Sequence, residues 1–182
     1  MIHLPELILS AAQMTREMFL SRYSQAAFIA HSVEGASGSD WSFRTQTVSS
    51  ATLSIGKLLA EQGVALDKDT ADGRVYPLVK TQDNPWQGRI SIGRARNNDI
   101  VLVDTSVSKL HAHVNIEGGA STLTDAGSRN GTIVNGKRLK EGDKVDLVTN
   151  DKVVFGRVEL VFFDKNGLYD LLMSRLQRSR LA

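Results

Sequence analysis

Between Arg74 and Asp164 the chain is a succession of short β-prone runs broken by turn residues, with no helical periodicity between them. This constrains the fold more than any other feature. Many short, closely spaced strands bury their apolar faces by closing into a β-sandwich or a barrel. The runs are Arg74–Lys80, Arg89–Gly93, Asp99–Val103, His111–Glu117, Ala120–Thr124, Thr132–Val134, Lys144–Val148, Asp151–Phe155 and Val158–Asp164. Pro77 inside the first predicts an edge strand or a bulge. In the run from His111, the residues Ala112, Val114 and Ile116 alternate with His111, His113 and Asn115, as in a half-buried strand. Gly118-Gly119 and Asn135-Gly136 are hairpin signals, and Asp83–Trp86 reads as a turn. No fixed-period repeat is visible.

The flanks read differently. Leu4 to about Tyr23 predicts an amphipathic helix, with Pro5 at its first turn and a stripe of Leu7, Ile8, Ala11, Met14, Met18 and Phe19. The stripe is expected to pack on the main domain; a partner-binding helix is the alternative. Ala26–Ala30 is a candidate strand and Glu34–Asp40 a loop. Trp41–Thr47 is a further strand candidate. Ser49 or Ser50 caps a second expected helix running to about Gln62. The polar stretch Leu66–Gly73 is the preferred domain boundary. A last helix is expected over Leu168–Leu181, with Arg178 and Arg180 near its C-terminus. The expected organisation is an N-terminal mixed α/β extension of unknown role over 1–73, a β-sandwich over 74–164 and a C-terminal helix over 165–182.

A chain of 182 residues can hold a core without staples, and 41% hydrophobic with 23% charged is ordinary soluble composition. It has no cysteine, which excludes disulfides and thiolate metal sites. The start, Met1–Glu6, lacks the pattern of a signal peptide, and no apolar run approaches membrane-span length, so a cytoplasmic protein is expected. A net charge of +2 does not by itself argue for nucleic acid; the first seventy or so residues lean acidic and the C-terminus basic.

Short polar clusters fall between the strands: Gly93-Arg94, Ser108-Lys-Leu-His111, Ser128-Arg-Asn130-Gly131-Thr132 and Asn135-Gly136. They supply cationic and neutral donors at strand ends, where a rigid scaffold can present them together. Arg94 offers a planar fork matched to phosphate, although Gly-Arg alone is also just a surface arginine after a tight turn. Ser108 with nearby backbone N–H groups makes a neutral anion cradle, or satisfies its own turn. Lys109 adds a point charge. His111 reads as a structural histidine whose ring bonds the surrounding loops. Asn130 can both donate to and accept from a peptide backbone, or sit in a plain hairpin loop beside Gly131. Arg96 is a second rim cation or a solvated one. There is no Gly-Lys-Ser/Thr loop, metal-spaced histidine pair or activated nucleophile, so catalysis and a cofactor are not expected.

In this order and spacing, inside an all-β stretch, the clusters resemble the forkhead-associated domain, a phosphothreonine-recognition β-sandwich. The resemblance covers about half the chain. It implies that Arg94 and Ser108 contact the phosphate, that Lys109 and Arg129 add contacts, and that Asn130 clamps the target backbone. It makes Gly93, His111 and Gly131 architectural. Ser106 stands in the loop that helps choose the residue downstream of the phosphothreonine. It also implies a non-catalytic adaptor whose partner is a phosphothreonine-containing protein, with a Ser/Thr protein kinase in the pathway.

The alternative is a phosphate-independent scaffold using the sandwich face or the N-terminal helix. Nucleic-acid binding is disfavoured by the weak net charge and the lack of aromatic–basic interleaving, and a membrane partner is not expected. Thr45, Thr47, Thr52 and Thr70 precede the sandwich and are candidate internal ligands if phosphorylated.

Overall fold

A computed structural model describes residues 2–30, 57–59, 73–82, 84, 86 and 88–181, with side chains described up to Gln177. The Glu34–Asp40 loop, the strand expected over Trp41–Thr47, the threonines at 45, 47, 52 and 70, and residues 66–72 of the expected connection lie outside the described residues. So do Asp83 and Pro85 of the expected turn. Of the helix expected to end near Gln62, residues 57–59 are described; they are helical, and Leu59 is buried.

The elements run β1 (Ile2–His3), α1 (Leu4–Ala12), α2 (Arg16–Arg22), β2 (Ala27–Ala30), β3 (Arg74–Pro77), β4 (Arg89–Gly93) and β5 (Ile100–Val101). Then follow β6 (Ala112–Glu117), β7 (Ala120–Asp125), β8 (Thr132–Val134), β9 (Lys137–Arg138), β10 (Lys144–Leu147), β11 (Lys152–Phe155), β12 (Val158–Phe163) and a helix, α3 (Lys165–Leu181). Among the described residues the strands form two sheets, ordered β1-β3-β2-β12-β11-β8-β9 and β10-β7-β6-β4-β5. The β4–β5 pair is parallel, and the other pairs are antiparallel. The fold is a mainly β sandwich with helices at its margins.

Side-chain alternation explains the layering. Phe28, Phe155, Leu160 and Phe162 point from the seven-stranded sheet toward Ile90, Ile92, Val114 and Leu123 of the five-stranded one, forming the inter-sheet core. On β2, Ala27 and Ile29 point the other way, into a second core with Leu4, Leu7, Ile8, Phe19, Val75, Phe163, Leu168 and Leu172. Helices α1, α2 and α3 thus cover one end of the seven-stranded sheet. A strand covered on both faces reads as a continuous apolar run, and β2 is Ala-Phe-Ile-Ala. Each large side chain so buried contributes roughly 2 kcal/mol of transfer free energy. The N-terminal segment therefore supplies both helices and two strands, β1 and β2, to the same sheet as β3 and β12. Among the described residues β3 has only β2 as a neighbour at Pro77, because β1 pairs with Arg74 and Val75.

Three local details depart from sequence expectation. The N-terminal helix is two helices: α1 ends at Ala12, and Thr15 starts α2 by accepting the Met18 N–H at 3.3 Å. The stripe of Met14 and Met18 hid this break, yet Thr-Arg-Glu is a helix-start signal. The last helix starts at Lys165 rather than Leu168, because the Asp164 carboxylate accepts the N–H groups of Asn166 and Gly167, each at 2.8 Å. His111 is fully buried ahead of β6 rather than on that strand's outer face, and Ile116 is exposed. Both expected two-residue turns, Gly118-Gly119 and Asn135-Gly136, carry positive φ at each position, which suits tight hairpins.

A loop-built candidate binding site

Three loops meet at one end of the sandwich: β4–β5, β5–β6 and β7–β8. The first two are held by a close backbone approach. The Arg94 N–H donates to the Ser108 carbonyl at 2.9 Å and the Ala95 N–H to the Lys109 carbonyl at 3.1 Å. Gly93 permits it, since a Cβ there would lie 2.3 Å from the Lys109 carbonyl oxygen. Asn98 completes the tie through its Nδ2, which donates to the carbonyls of Ala95 and Lys109 at 2.8 and 2.7 Å.

Arg94 is exposed, and its Nε donates to the Val107 carbonyl at 3.2 Å. A backbone group therefore positions its charge, and among the described residues no carboxylate pairs with it. Ser108 is half-buried, and its Oγ accepts the Arg129 N–H at 3.0 Å. That bond joins the second loop to the third and leaves the serine proton to donate. The Asn130 Nδ2 donates to the Ser106 carbonyl at 2.7 Å. Its Oδ1 carries no hydrogen bond among the described residues, and the residue is exposed. The structure thus brings Arg94, Ser108 and Asn130 together through direct bonds between their loops. Lys109 and Arg129 are exposed beside them.

His111 ties the loops from below. Its Nδ1 accepts the Ser108 N–H at 3.0 Å, so the proton sits on Nε2, which donates to the Gly131 carbonyl at 3.1 Å. The ring stands edge-on to Phe155. Burial pushes its pKa down, against opposing pulls from the Gly131 carbonyl and Asp125. A neutral ring is what this bonding requires, because a proton on Nδ1 would meet the Ser108 N–H.

Ser106 is committed internally. Its hydroxyl donates to Asp104 Oδ1 at 2.5 Å and accepts the Arg157 N–H at 3.0 Å. It touches Asn130 through its carbonyl, so it fixes the position of that amide.

Sequence reasoning missed the carboxylates beneath the loops. Asp125 is buried; its Oδ1 accepts the N–H groups of Gly127 and Ser128, and its Oδ2 accepts the hydroxyls of Ser128 and Thr132. It shapes the turn that carries Arg129 and Asn130. Burial pushes its pKa up, but these bonds win and hold it below the ordinary value. The signal was present: Asp-x-Gly-Ser is an Asx-turn pattern. Asp99 does the same for β4 and β5. It accepts from the backbone and hydroxyl of Thr81, from the backbone and hydroxyl of Ser91, and from the Asn84 amide and Lys80. Burial again raises its pKa, yet the donors bring it down to about 2. Arg138 was missed with its strand β9, two residues with no apolar alternation; its Nη2 donates to the Asn130 carbonyl at 2.7 Å.

The geometry defines a class: a sandwich presenting a cationic, donor-rich surface of cross-bonded loops, which is the construction of a binding module. A family model for the FHA domain matches residues 90–156. Residues 90–156 thus belong to the forkhead-associated (FHA) family, whose members are binding modules. The glycogen accumulation regulator GarA of Mycolicibacterium smegmatis is 41% identical over 42% of this chain and 46% of its own length. The oxoglutarate dehydrogenase inhibitor of Corynebacterium efficiens is 40% identical over 42% of this chain and 51% of its own. The chain therefore spans about half the length of these relatives. Among solved structures, the FHA domain of FhaA complexed with the intracellular domain of Rv3910 is 30% identical, with a TM-score of 0.43 over 52% of this chain and 92% of that one. Among the described residues, no helix is long and apolar enough to cross a membrane.

Proposed function

We propose that the loop end binds a phosphothreonine-containing segment of another protein, and that the chain acts as a non-catalytic adaptor in Ser/Thr-kinase signalling. The observation that carries this reading is the cross-tied trio of Arg94, Ser108 and Asn130, drawn from separate loops, with Arg94 and Asn130 exposed and Ser108 half-buried. A phosphothreonine brings close to two negative charges and three acceptor oxygens. Arg94 supplies a charged fork and Ser108 a hydroxyl proton. Lys109 and Arg129 add cations at the rim. The Asn130 Oδ1 accepts a backbone N–H of the guest, because its amide nitrogen is already engaged by Ser106. Gly93, His111 and Gly131 hold the loops in place. Ser106 bears on ligand choice by setting where Asn130 stands. Loops fixed before binding keep the ordering cost low.

Calorimetric titration tests this directly. A phosphothreonine peptide is expected to bind and its unphosphorylated twin not to bind, and Arg94→Ala or Ser108→Ala should abolish the difference. Equal binding of the two peptides would sink the reading. Partner capture that survives Arg94→Ala would favour a phosphate-independent scaffold instead.

A further inference from the structure

We propose that Arg138 is a specificity-determining residue that reads an anionic side chain flanking the phosphothreonine; this rests on the reading above. Arg138 lies on β9, opposite Ile133, and is exposed. Its Nη2 is fixed to the Asn130 carbonyl at 2.7 Å. Its guanidinium lies flat against the turn: a Cβ on Gly131 would come within 2.5 Å of it. Among the described residues no carboxylate pairs with it. Arg157 differs, since it sits 3.5 Å from the Asp104 carboxylate.

A backbone carbonyl localises a guanidinium without cancelling its charge, and one bond leaves most of the five N–H donors for a guest. Arg94 is held in the same way, by Val107. Among the described residues neither of these two fixed forks meets a carboxylate. Arg94 with Ser108 accounts for the phosphate. Arg138 stands on the Asn130 side, where the guest's backbone is clamped, so what reaches it is a neighbouring side chain. Its chemistry is anionic: a carboxylate or a second phosphate.

The test uses the full chain and phosphothreonine peptides in which each flanking position in turn carries Glu, phosphoserine or Gln on a neutral background. Affinities are read by fluorescence anisotropy at low and high salt. At one or two positions Glu or phosphoserine should bind roughly two- to fivefold tighter than Gln, an advantage that shrinks as salt is added. The stronger of the two identifies the source of the negative charge. Arg138→Gln keeps an N–H donor on β9 but carries no charge. It should erase the preference, bringing the Glu and phosphoserine peptides down to the affinity of the Gln peptides. The proposal is overturned if wild type binds Glu, phosphoserine and Gln peptides alike at every position. It is equally overturned if Arg138→Gln weakens all of them by one common factor, which would make Arg138 merely a support for the turn. A neutral phosphopeptide that binds no better than its unphosphorylated twin removes the phosphothreonine reading, and this one with it.

Discussion

The loop end of the sandwich and the helical layer on its seven-stranded sheet are both well packed, but different forces hold them. At the loop end nearly every tie is a directed hydrogen bond to a named partner: His111 to Ser108 and Gly131, Asp125 to Ser128 and Thr132, Asn98 to Ala95 and Lys109. In the helical layer the buried ties are apolar: Leu4, Leu7, Ile8 and Phe19 against Ile29, Val75, Phe163 and Leu172, with the Arg16–Asp170 ion pair at the exposed surface. Directed bonds demand particular side chains at particular spacings. Apolar burial asks only for size and position. One region is therefore written as a motif and the other as a pattern.

The comparison is broken most severely by deletion. We propose that residues 1–30 fold with the sandwich as one unit, because β2 lies between β3 and β12. Removing them should abolish cooperative unfolding as followed by circular dichroism. A truncated chain that still melts sharply would make the layer an accessory.

Point variants sharpen the contrast. Phe19 is fully buried against Tyr23 and Tyr169, so Phe19→Ala should cost about 3–5 kcal/mol in denaturant unfolding. Peptide affinity should stay unchanged wherever the protein is folded. Asp125→Ala leaves the N–H groups of Gly127 and Ser128 and the Thr132 hydroxyl without their acceptor, a loss of about 3 kcal/mol. Here affinity should fall as well, because the turn carrying Asn130 loosens. If both variants affect stability and binding in the same proportion, the distinction between the two regions is void.

Acid should act on the polar region selectively. Asp99 stays ionised in the fold down to about 2, whereas its unfolded value is 3.8. Its contribution is complete above 3.8 and is lost as pH falls from there toward 2, amounting to roughly 2 kcal/mol. His111 acts earlier and in the same direction: its folded pKa is depressed, so the unfolded chain takes up a proton first, and stability starts to fall below the ordinary histidine value. Stability measured against pH should show both steps. Asp99→Asn should shrink the lower one, which Asp125 shares; a curve unchanged by that substitution would refute the role given to this carboxylate.

The smallest effect is expected at the start of α2. Thr15→Ala removes the acceptor for Met18 and should cost about 1 kcal/mol, readable as a small shift of the denaturation midpoint.

Legibility followed the same division of forces. Strand β4 and its closing Gly93-Arg94 were readable because alternation and a glycine at a close approach leave local marks. The hairpin at Gly118-Gly119 was readable because φ is positive at both positions. Strand β9 was not, since Lys137 and Arg138 are both exposed and show no alternation. The Asp99 hub was not, because Asp99 finds its role only once a distant donor such as Thr81 arrives.

By itself the sequence specified the β-rich middle, the turns within it and the set of donor groups, since these depend on neighbours a few residues apart. Tertiary structure alone decided that β2 joins the sandwich between β3 and β12, that Ser106 is turned inward onto Asp104, and that Arg138 lies over Gly131. The reason is physical: a strand's partners and a carbonyl's donors are chosen by residues far along the chain, and no local spacing encodes them.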